Sequence, residues 1–336
     1  RSDAKLSISS SEMVKFSDSV VNLEKIWNET SYSIKSIRDN PVSAKEEYDL
    51  IEKFDDQGLV AIDNFKFSTQ LPAFNQNLKP KVAIFREQGV NGQNEMAAAF
   101  ILAGFEASDI HMQDVLDNPS LLEEFQGLAA CGGFSYGDVL GAGGGWSSSI
   151  RYNNGVRDAF EHFFNRDETF TFGVCNGCQM LSNIKDLIPG AENWPEFLWN
   201  ESDQFEARLS QVTIAQSKSV LLDGMEGWQI PVAVAHGEGR ASFAENALKL
   251  LSEQHQIAVQ FTDNKGVVAS SYPLNPNGSP EGITGLTSTD GRATIMMPHP
   301  ERVFRSQQMS WKSPKWKEYS PWMQIFINAY KFSHES

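Results

Sequence analysis

The residue best suited to do chemistry in this sequence is Cys175, which lies in residues 173–177 (GVCNG). An apolar, β-prone run precedes it, and a helix-like pattern follows from Met180. A nucleophile on a sharp turn between a strand and a helix needs glycine neighbours, because other side chains would collide there. The amino end of the helix also favours the negatively charged thiolate. The pattern predicts that Cys175 is a nucleophile and not a structural cysteine.

A nucleophilic cysteine needs a base, and His299 has the most suitable context for that role. It lies in residues 297–301 (MPHPE), directly after an apolar run, with a proline on each side that restricts the backbone. Glu301 can hold the imidazole in the tautomer that accepts a proton from sulfur. The sequence therefore predicts a triad of Cys175, His299 and Glu301. Four other histidines lie in ordinary helical or strand contexts and are expected to be structural or exposed: His111, His162, His255 and His334.

Attack on a carbonyl group also requires hydrogen-bond donors for the oxyanion that develops. The backbone N–H of Asn176, directly after the cysteine, is one predicted donor. The main chain of Gly133 is the second, because a predicted strand ends there in a Gly-Gly pair whose amides can approach a ligand closely. Taken alone, the same glycines could equally form a turn without a function.

The elements that must position these residues alternate between β and α from residue 81 onward. Residue patterns predict strands at 81–85, 109–112, 128–133 and 170–174, and helices at 94–104 and 157–165. Such alternation predicts an α/β fold with an open, mostly parallel central sheet flanked by helices, whose ligands bind beyond the carboxyl ends of the strands. After residue 187, short β runs predict an added antiparallel β portion, and a closing helix is predicted at 322–329.

The first part of the chain has a different character and contains no chemical motif. Apolar spacings predict a small helical segment with two helices, of which the first ends before Asn40-Pro41. Residues 64–80 carry prolines and several Asn and Gln, which is typical of a linker. We therefore divide the chain into an accessory segment at 1–63, a linker at 64–80 and a catalytic domain at 81–336. Since the sequence begins with Arg1, we expect a fragment of a longer protein.

Composition excludes several classes of function. The chain carries 28 Lys and Arg against 43 Asp and Glu, a net charge of −15, which disfavours nucleic acid and anionic membranes as partners. Its 3 cysteines are too few for a disulfide framework and disfavour secretion. No apolar run approaches the length of a membrane span, and we expect no signal peptide. These observations predict a cytoplasmic protein.

Four separated motifs resemble those of the triad-type, or class I, glutamine amidotransferases, and within them the glutaminase part of phosphoribosylformylglycinamidine synthases. The motifs are REQGVN at 86–91, GGFSYGD at 132–138, GVCNGCQ at 173–179 and PHPER at 298–302. The resemblance implies the flavodoxin-like class I glutaminase fold. It also implies that Cys175 attacks the side-chain amide of L-glutamine, that ammonia leaves, and that water then hydrolyses a γ-glutamyl thioester with the help of His299. Residues 1–63 resemble the end of the synthetase half in the single-chain form of these enzymes.

The resemblance further implies four glutamine-binding residues: Gln179, His236, Gly237 and Ser202. Ammonia would pass to the synthetase half of the same polypeptide. There ATP and Mg²⁺ would drive the conversion of formylglycinamide ribonucleotide to formylglycinamidine ribonucleotide, a ligase step of purine biosynthesis. No cofactor or metal is expected in this chain, because the glycine run at 141–145 lacks the Lys and Ser/Thr of a P-loop. We interpret that run as a mobile loop, with Ser147-Ser148 as a helix cap.

Three alternatives are open. Cys175 and Cys178 have the C-x-x-C spacing of a redox or metal module, although the chain lacks a second cysteine pair. A different cysteine hydrolase, such as a peptidase, could use the same architecture. A non-catalytic scaffold is disfavoured because a nucleophile, a base and an orienting carboxylate are all present.

Overall fold

The computed structural model describes residues 4–11, 13–53, 56–75 and 79–335. The strands of this part are β1 (Lys5–Ser10), β2 (Met13–Ser19), β3 (Lys81–Arg86), β4 (Glu106–His111), β5 (Gly127–Ala130), β6 (Phe170–Val174), β7 (Glu196–Leu198), β8 (Glu206–Ile214), β9 (Gln229–His236), β10 (Arg240–Ser242), β11 (Ile257–Phe261), β12 (Ile283–Thr287) and β13 (Ala293–Met296). The α-helices are α1 (Val20–Arg38), α2 (Pro41–Leu50), α3 (Gln93–Leu102), α4 (Met112–Asp117), α5 (Gly144–Arg151), α6 (Asn154–Asn165), α7 (Asn176–Asn183), α8 (Ala247–Glu253) and α9 (Met323–Glu335). None of these helices is long and apolar enough to cross a membrane.

The central sheet has nine strands in the order β4-β3-β5-β6-β13-β12-β11-β8-β9. Strands β4, β3, β5, β6 and β13 are mutually parallel, whereas β12 and β8 run against the direction of the rest. This confirms the predicted α/β fold with a mostly parallel sheet. The predicted antiparallel portion is also present, but its strands β12, β11, β8 and β9 continue the same sheet.

Burial on both faces explains why the sequences of the central strands are continuous apolar runs. Every residue of β5, β6 and β13 is buried, as parallel strands covered on both faces require. On one side α9 closes the core, where Phe326 packs against Phe100 with ring centroids 5.0 Å apart. Trp322, just before α9, donates from Nε1 to the carbonyl of Pro231 at 2.7 Å. The closing helix predicted from spacing therefore joins the parallel and antiparallel halves.

The N-terminal segment contains the two predicted helices and a hairpin that we did not predict. β1 pairs with β2 in an antiparallel arrangement with a register shift between Ile8 and Ser9. Each strand of the hairpin has one short apolar alternation, Leu6 with Ile8 and Val14 with Phe16, which is too short to indicate a strand. α1 has the predicted apolar spacing, but its apolar face is exposed: Trp27 is 85% and Ile37 is 88% accessible.

The segment predicted as a linker has the expected irregular backbone, yet its described residues pack along the domain. The Ser68 carbonyl accepts from the backbone N–H groups of Glu318 and Tyr319 at 2.8 and 3.0 Å. The residues just before the segment are held as well: Ile62 exchanges two backbone hydrogen bonds with Gln229, at 2.8 and 2.9 Å, and Trp316 Nε1 donates to Asp63 Oδ2 at 3.0 Å. Proline and amide-rich composition predicts the absence of regular structure but carries no information about docking. The division at residues 63 and 80 stays a prediction.

The glycine run at 141–145 is not the loop that we expected, because α5 begins within it. Ser147 and Ser148 are therefore not a cap: they lie inside the helix, and both hydroxyls donate to the Gly144 carbonyl. A Cβ on Gly143 would lie 2.5 Å from the backbone nitrogen of Met180. The glycines thus allow α5 to approach α7, the helix that follows Cys175.

We predict that Gly177→Ala destabilises the protein. A Cβ at this position would lie 2.1 Å from the carbonyl oxygen of Ala130, so α7 would have to move away from β5. We expect a loss of about 2 kcal/mol in the free energy of unfolding, measured by urea denaturation. The control is Gly155→Ala in α6, where the nearest atom would be 3.7 Å away and stability should stay equal or rise slightly. Equal stability of the two variants would contradict this packing.

Candidate active site

Cys175 occupies a strained turn between β6 and α7, as the glycine spacing predicts. Its φ of 51° and ψ of −110° lie outside the regions that non-glycine residues ordinarily adopt, which costs on the order of 1–3 kcal/mol. A backbone hydrogen bond of 2.9 Å from its N–H to the Met296 carbonyl fixes the turn against β13. A Cβ on Gly173 would lie 2.5 Å from Leu181 Cδ1. A Cβ at Gly177 would meet backbone atoms, whereas one at Gly173 would meet the end of a leucine side chain, so packing requires glycine most strictly at Gly177.

His299 reaches the thiol because β13 lies beside β6. Val174 pairs with Met296, so the residues after both strands leave the sheet at the same edge. His299 Nδ1 lies 2.6 Å from Glu301 Oε1, and both side chains are buried. The imidazole and the thiol flank one glycine: a Cβ on Gly132 would be 2.6 Å from His299 Cε1 and 3.1 Å from Cys175 Cβ. The structure therefore brings Cys175, His299 and Glu301 together.

The electrostatics of the buried histidine favour its protonated form. Burial alone would lower the pKa of His299, but the Glu301 carboxylate and the Cys175 side chain raise this pKa to about 10. With Nδ1 directed to Glu301, Nε2 has no hydrogen-bond partner among the described residues. The arrangement can hold a proton on the imidazole beside the sulfur and deliver it to a leaving group.

Two backbone N–H groups beside the thiol lack an acceptor in the described part of the chain, namely those of Gly133 and Asn176. Gly133 adopts a φ of 152°, and a Cβ there would lie 2.4 Å from Val90 Cα, so only glycine fits. Asn176 is the first residue of α7, where N–H groups have no intrahelical partner. These are the two donors predicted from sequence.

A cavity of ≈ 340 Å³ opens at the thiol. Its lining residues are Gly133, Phe134, Gly137, Asp138, Ala142, Cys175, Gln179, Trp199, Phe205, Ala235, His236, Gly237 and Glu238. Three of the four predicted glutamine-binding residues are in this set. Ser202 does not line the cavity. Its hydroxyl donates to Glu206 Oε1 at 2.6 Å, and its carbonyl accepts from the N–H of Asn40, the residue directly before α2.

Gln179 and His236 are both held by the cavity walls. Gln179 Nε2 donates to the Glu238 carbonyl at 2.6 Å, which joins α7 to the loop after β9. Burial, aided by the nearby His299, lowers the pKa of His236 to about 3, so this imidazole is neutral at physiological pH. Its Nδ1 lies 3.2 Å from Asn200 Oδ1, which already accepts from Gly239 N–H, so Nδ1 is the donor. No sequence signal marked Asn200, because its partners depend on how β8 pairs with β9.

The cysteine pair does not form a disulfide in this structure. Cys131, Cys175 and Cys178 are all free and buried, and burial raises the pKa of Cys178 well above its ordinary value. Within the described residues no cluster of His, Cys, Asp and Glu is arranged to hold a metal ion. The geometry assigns Cys178 to the packing of α7.

We predict that Glu301→Gln lowers the pKa of His299, because the carboxylate that opposes the effect of burial is removed. NMR titration of the imidazole should show a charged ring at about pH 7 in the wild type and a lower pKa in the variant. Because the pKa of His299 is higher in the folded state than in the unfolded state, where it is about 6.5, protonation of this ring stabilises the fold. The stabilisation is complete below about pH 6.5 and is lost as the pH rises to about 10. The difference in unfolding free energy between the two proteins should shrink over that range. An identical His299 pKa in both would contradict the assignment.

Comparisons with known proteins identify the family. A chain in the structure of PurLQS from Thermotoga maritima has a similar fold, with a TM-score of 0.57, 22% identity and coverage of 76% of this chain and 99% of that chain. A glutamine amidotransferase from Thermotoga maritima gives a TM-score of 0.41 and 15% identity, with 77% and 85% covered. The family model for a CobB/CobQ-like glutamine amidotransferase domain matches residues 79–333. The chain therefore belongs to the family of CobB/CobQ-like glutamine amidotransferase domains.

Proposed function

We propose that this domain hydrolyses L-glutamine to glutamate and ammonia through a thioester on Cys175. The observation that carries the proposal is the buried pair of His299 and Glu301, 2.6 Å apart, beside a cysteine on a strained strand-to-helix turn. A triad of this kind activates sulfur for attack on an amide carbonyl.

The steps follow from the positions of the groups. With the proton of the pair held on the His299 imidazolium, Cys175 attacks as the thiolate at the side-chain amide carbon of glutamine. The N–H groups of Gly133 and Asn176 stabilise the oxyanion. The carbon–nitrogen bond then breaks as the imidazolium donates its proton to the departing ammonia. Water attacks the thioester, His299 takes one of its protons, and the thiolate leaves with release of glutamate.

The charge of the cavity supports a free amino acid as the substrate. Asp138 and Glu238 are its only charged lining residues in the described part of the chain. Burial raises the pKa of Asp138, and the nearby Glu238 carboxylate acts in the same direction, so a cation beside both would be favoured. The α-ammonium of glutamine is such a cation. Trp199 and Phe205 supply apolar walls for its methylene groups.

We predict that Cys175→Ala abolishes ammonia release from L-glutamine and leaves the fold intact, because the only group that forms the thioester is lost. Ammonia is measured by a coupled enzymatic assay, and folding by circular dichroism and urea denaturation. Cys178→Ala is the matched control and should retain most of the activity. Turnover of glutamine by Cys175→Ala at the wild-type rate would contradict the mechanism. A preference of the wild type for glutaminyl peptides over free glutamine would instead favour a peptidase.

We further propose that the ammonia is consumed by an ATP-dependent synthetase half that makes formylglycinamidine ribonucleotide in cytoplasmic purine biosynthesis. The support is the resemblance of four separated motifs, and the likeness of fold to a chain of PurLQS from Thermotoga maritima agrees with it. ATP and Mg²⁺ would act in that half. Residues 1–63 would belong to it, and the exposed apolar side chains of α1, such as Trp27 and Ile37, suit a helix that packs against further protein.

We predict that this chain alone makes no formylglycinamidine ribonucleotide, since it would lack the synthetase site. A separately produced synthetase half should form the product when given this chain, ATP, formylglycinamide ribonucleotide and glutamine labelled with ¹⁵N at the amide. The label should appear in the product. Cys175→Ala should fail with glutamine but support synthesis from ¹⁵N-ammonium chloride. Product formation by the chain alone, or unlabelled product in the mixture, would overturn this assignment.

A further inference from the structure

The proposed chemistry does not use Glu87, a buried carboxylate that is 4% exposed just after β3. Oε1 accepts from the backbone N–H of Gln88 at 2.7 Å and lies 3.2 Å from His111 Nε2. Oε2 accepts from the hydroxyl of Tyr136 at 2.8 Å. Burial of a charged group is costly unless its partners are well placed, so these contacts need an explanation.

Tyr136 belongs to a strained part of the loop after β5. Tyr136, Gly137 and Asp138 all lie in the left-handed region, with φ of 52°, 63° and 52°. Two of the three carry side chains, for which this conformation is unfavourable. Each of those two side chains is anchored: Tyr136 by Glu87, and Asp138 by Asn176 Nδ2 at 2.9 Å. The hydrogen bonds hold a backbone shape that the residue types alone would not adopt.

The same loop carries the proposed oxyanion donor, Gly133. Its position depends on the segment after β3, because Phe134 N–H donates to the Gly89 carbonyl at 2.9 Å and Tyr136 N–H to the Gln88 carbonyl at 3.0 Å. A Cβ on Gly89 would lie 2.1 Å from the Phe134 carbonyl oxygen, so the two segments are in close contact. Movement at Tyr136 would therefore move the N–H of Gly133 relative to the thiol.

We propose that Glu87 and Tyr136 are positioning residues that hold the Gly133 N–H where the oxyanion of the reaction develops. Glu87 fixes the Tyr136 hydroxyl, Tyr136 fixes the left-handed turn, and the turn fixes Gly133. This inference rests on the proposed glutaminase function. It assigns to Glu87 and Tyr136 no contact with glutamine itself.

Other contacts of Tyr136 agree with a fixed side chain. A Cβ on Gly145 would lie 2.6 Å from Tyr136 Cδ2, so the ring packs against α5 where only glycine leaves room. The hydroxyl also lies 3.3 Å from Ser149 Oγ. Partial burial, with Glu87 acting in the same direction, raises the pKa of Tyr136, so the phenol keeps the proton that it donates.

Two reactions of the same thiol test the inference. Glutamine turnover passes through an oxyanion, whereas alkylation of Cys175 by iodoacetamide displaces iodide at a saturated carbon and forms none. In Tyr136→Phe and Glu87→Gln we expect kcat for glutamine to fall about ten- to a hundredfold. The alkylation rate should stay within about twofold of the wild type because the thiol is left in place. The KM for glutamine should do so as well, because Asp138, the charged pocket residue of the turn, keeps its own hydrogen bond to Asn176. Tyr152→Phe is the matched control, since that side chain is exposed, and it should not change kcat.

The outcomes separate the inference from the function on which it rests. A wild type that is alkylated but does not turn over glutamine contradicts the proposed function, and the inference with it. An active wild type with unchanged kcat in both variants overturns the inference alone. An equal fall in turnover and alkylation would show general disruption of the site and would also overturn it. Circular dichroism identifies a variant that has not folded. In that case the kcat and the alkylation rate of the other variant test the inference.

Discussion

The site depends on the parallel pairing of β6 with β13. These strands come from distant parts of the sequence, and the pairing of Val174 with Met296 makes both chains leave the sheet at one edge. The hydrogen bond from Cys175 N–H to the Met296 carbonyl continues that ladder by one step, into the strained turn itself. The pairing thus sets the position of the thiol and of His299 together. Because every residue of both strands is buried, the core holds this register.

Burial acts on the two site histidines in opposite ways because their partners differ. His299 has a carboxylate at 2.6 Å, which outweighs burial and keeps the ring charged. His236 has the neutral amide of Asn200 as its partner, so burial keeps it neutral. One imidazole can therefore transfer protons, while the other can only accept or donate a hydrogen bond as a neutral ring. Two buried imidazoles thus act as two different chemical groups because their partners differ.

Sequence patterns predicted the members of the triad and the strands of the parallel sheet because each has a local signal, although their assembly depends on the long-range pairing of β6 with β13. The glycines two residues on either side of Cys175 mark the close packing around the turn, and the residues flanking His299 restrict its backbone locally. The walls of the cavity could not be predicted from local patterns, because the pairing of β8 with β9 brings Trp199, Phe205 and Glu238 together. Glu87 lay within a quoted motif, yet nothing in its spacing indicated a bond to Tyr136. Long-range register and docking, as for residues 56–75, are decided by packing and not by local residue preference.

The central claim is that Cys175 forms a covalent bond to the acyl group of glutamine. The most direct measurement is mass spectrometry of the protein after brief incubation with L-glutamine and an acid quench, followed by peptide mapping. The account predicts a mass increase of one glutamyl group on the peptide that contains Cys175, abolished by Cys175→Ala and retained in Cys178→Ala. Ammonia release without any adduct on Cys175, or an adduct on Cys178 instead, would contradict it.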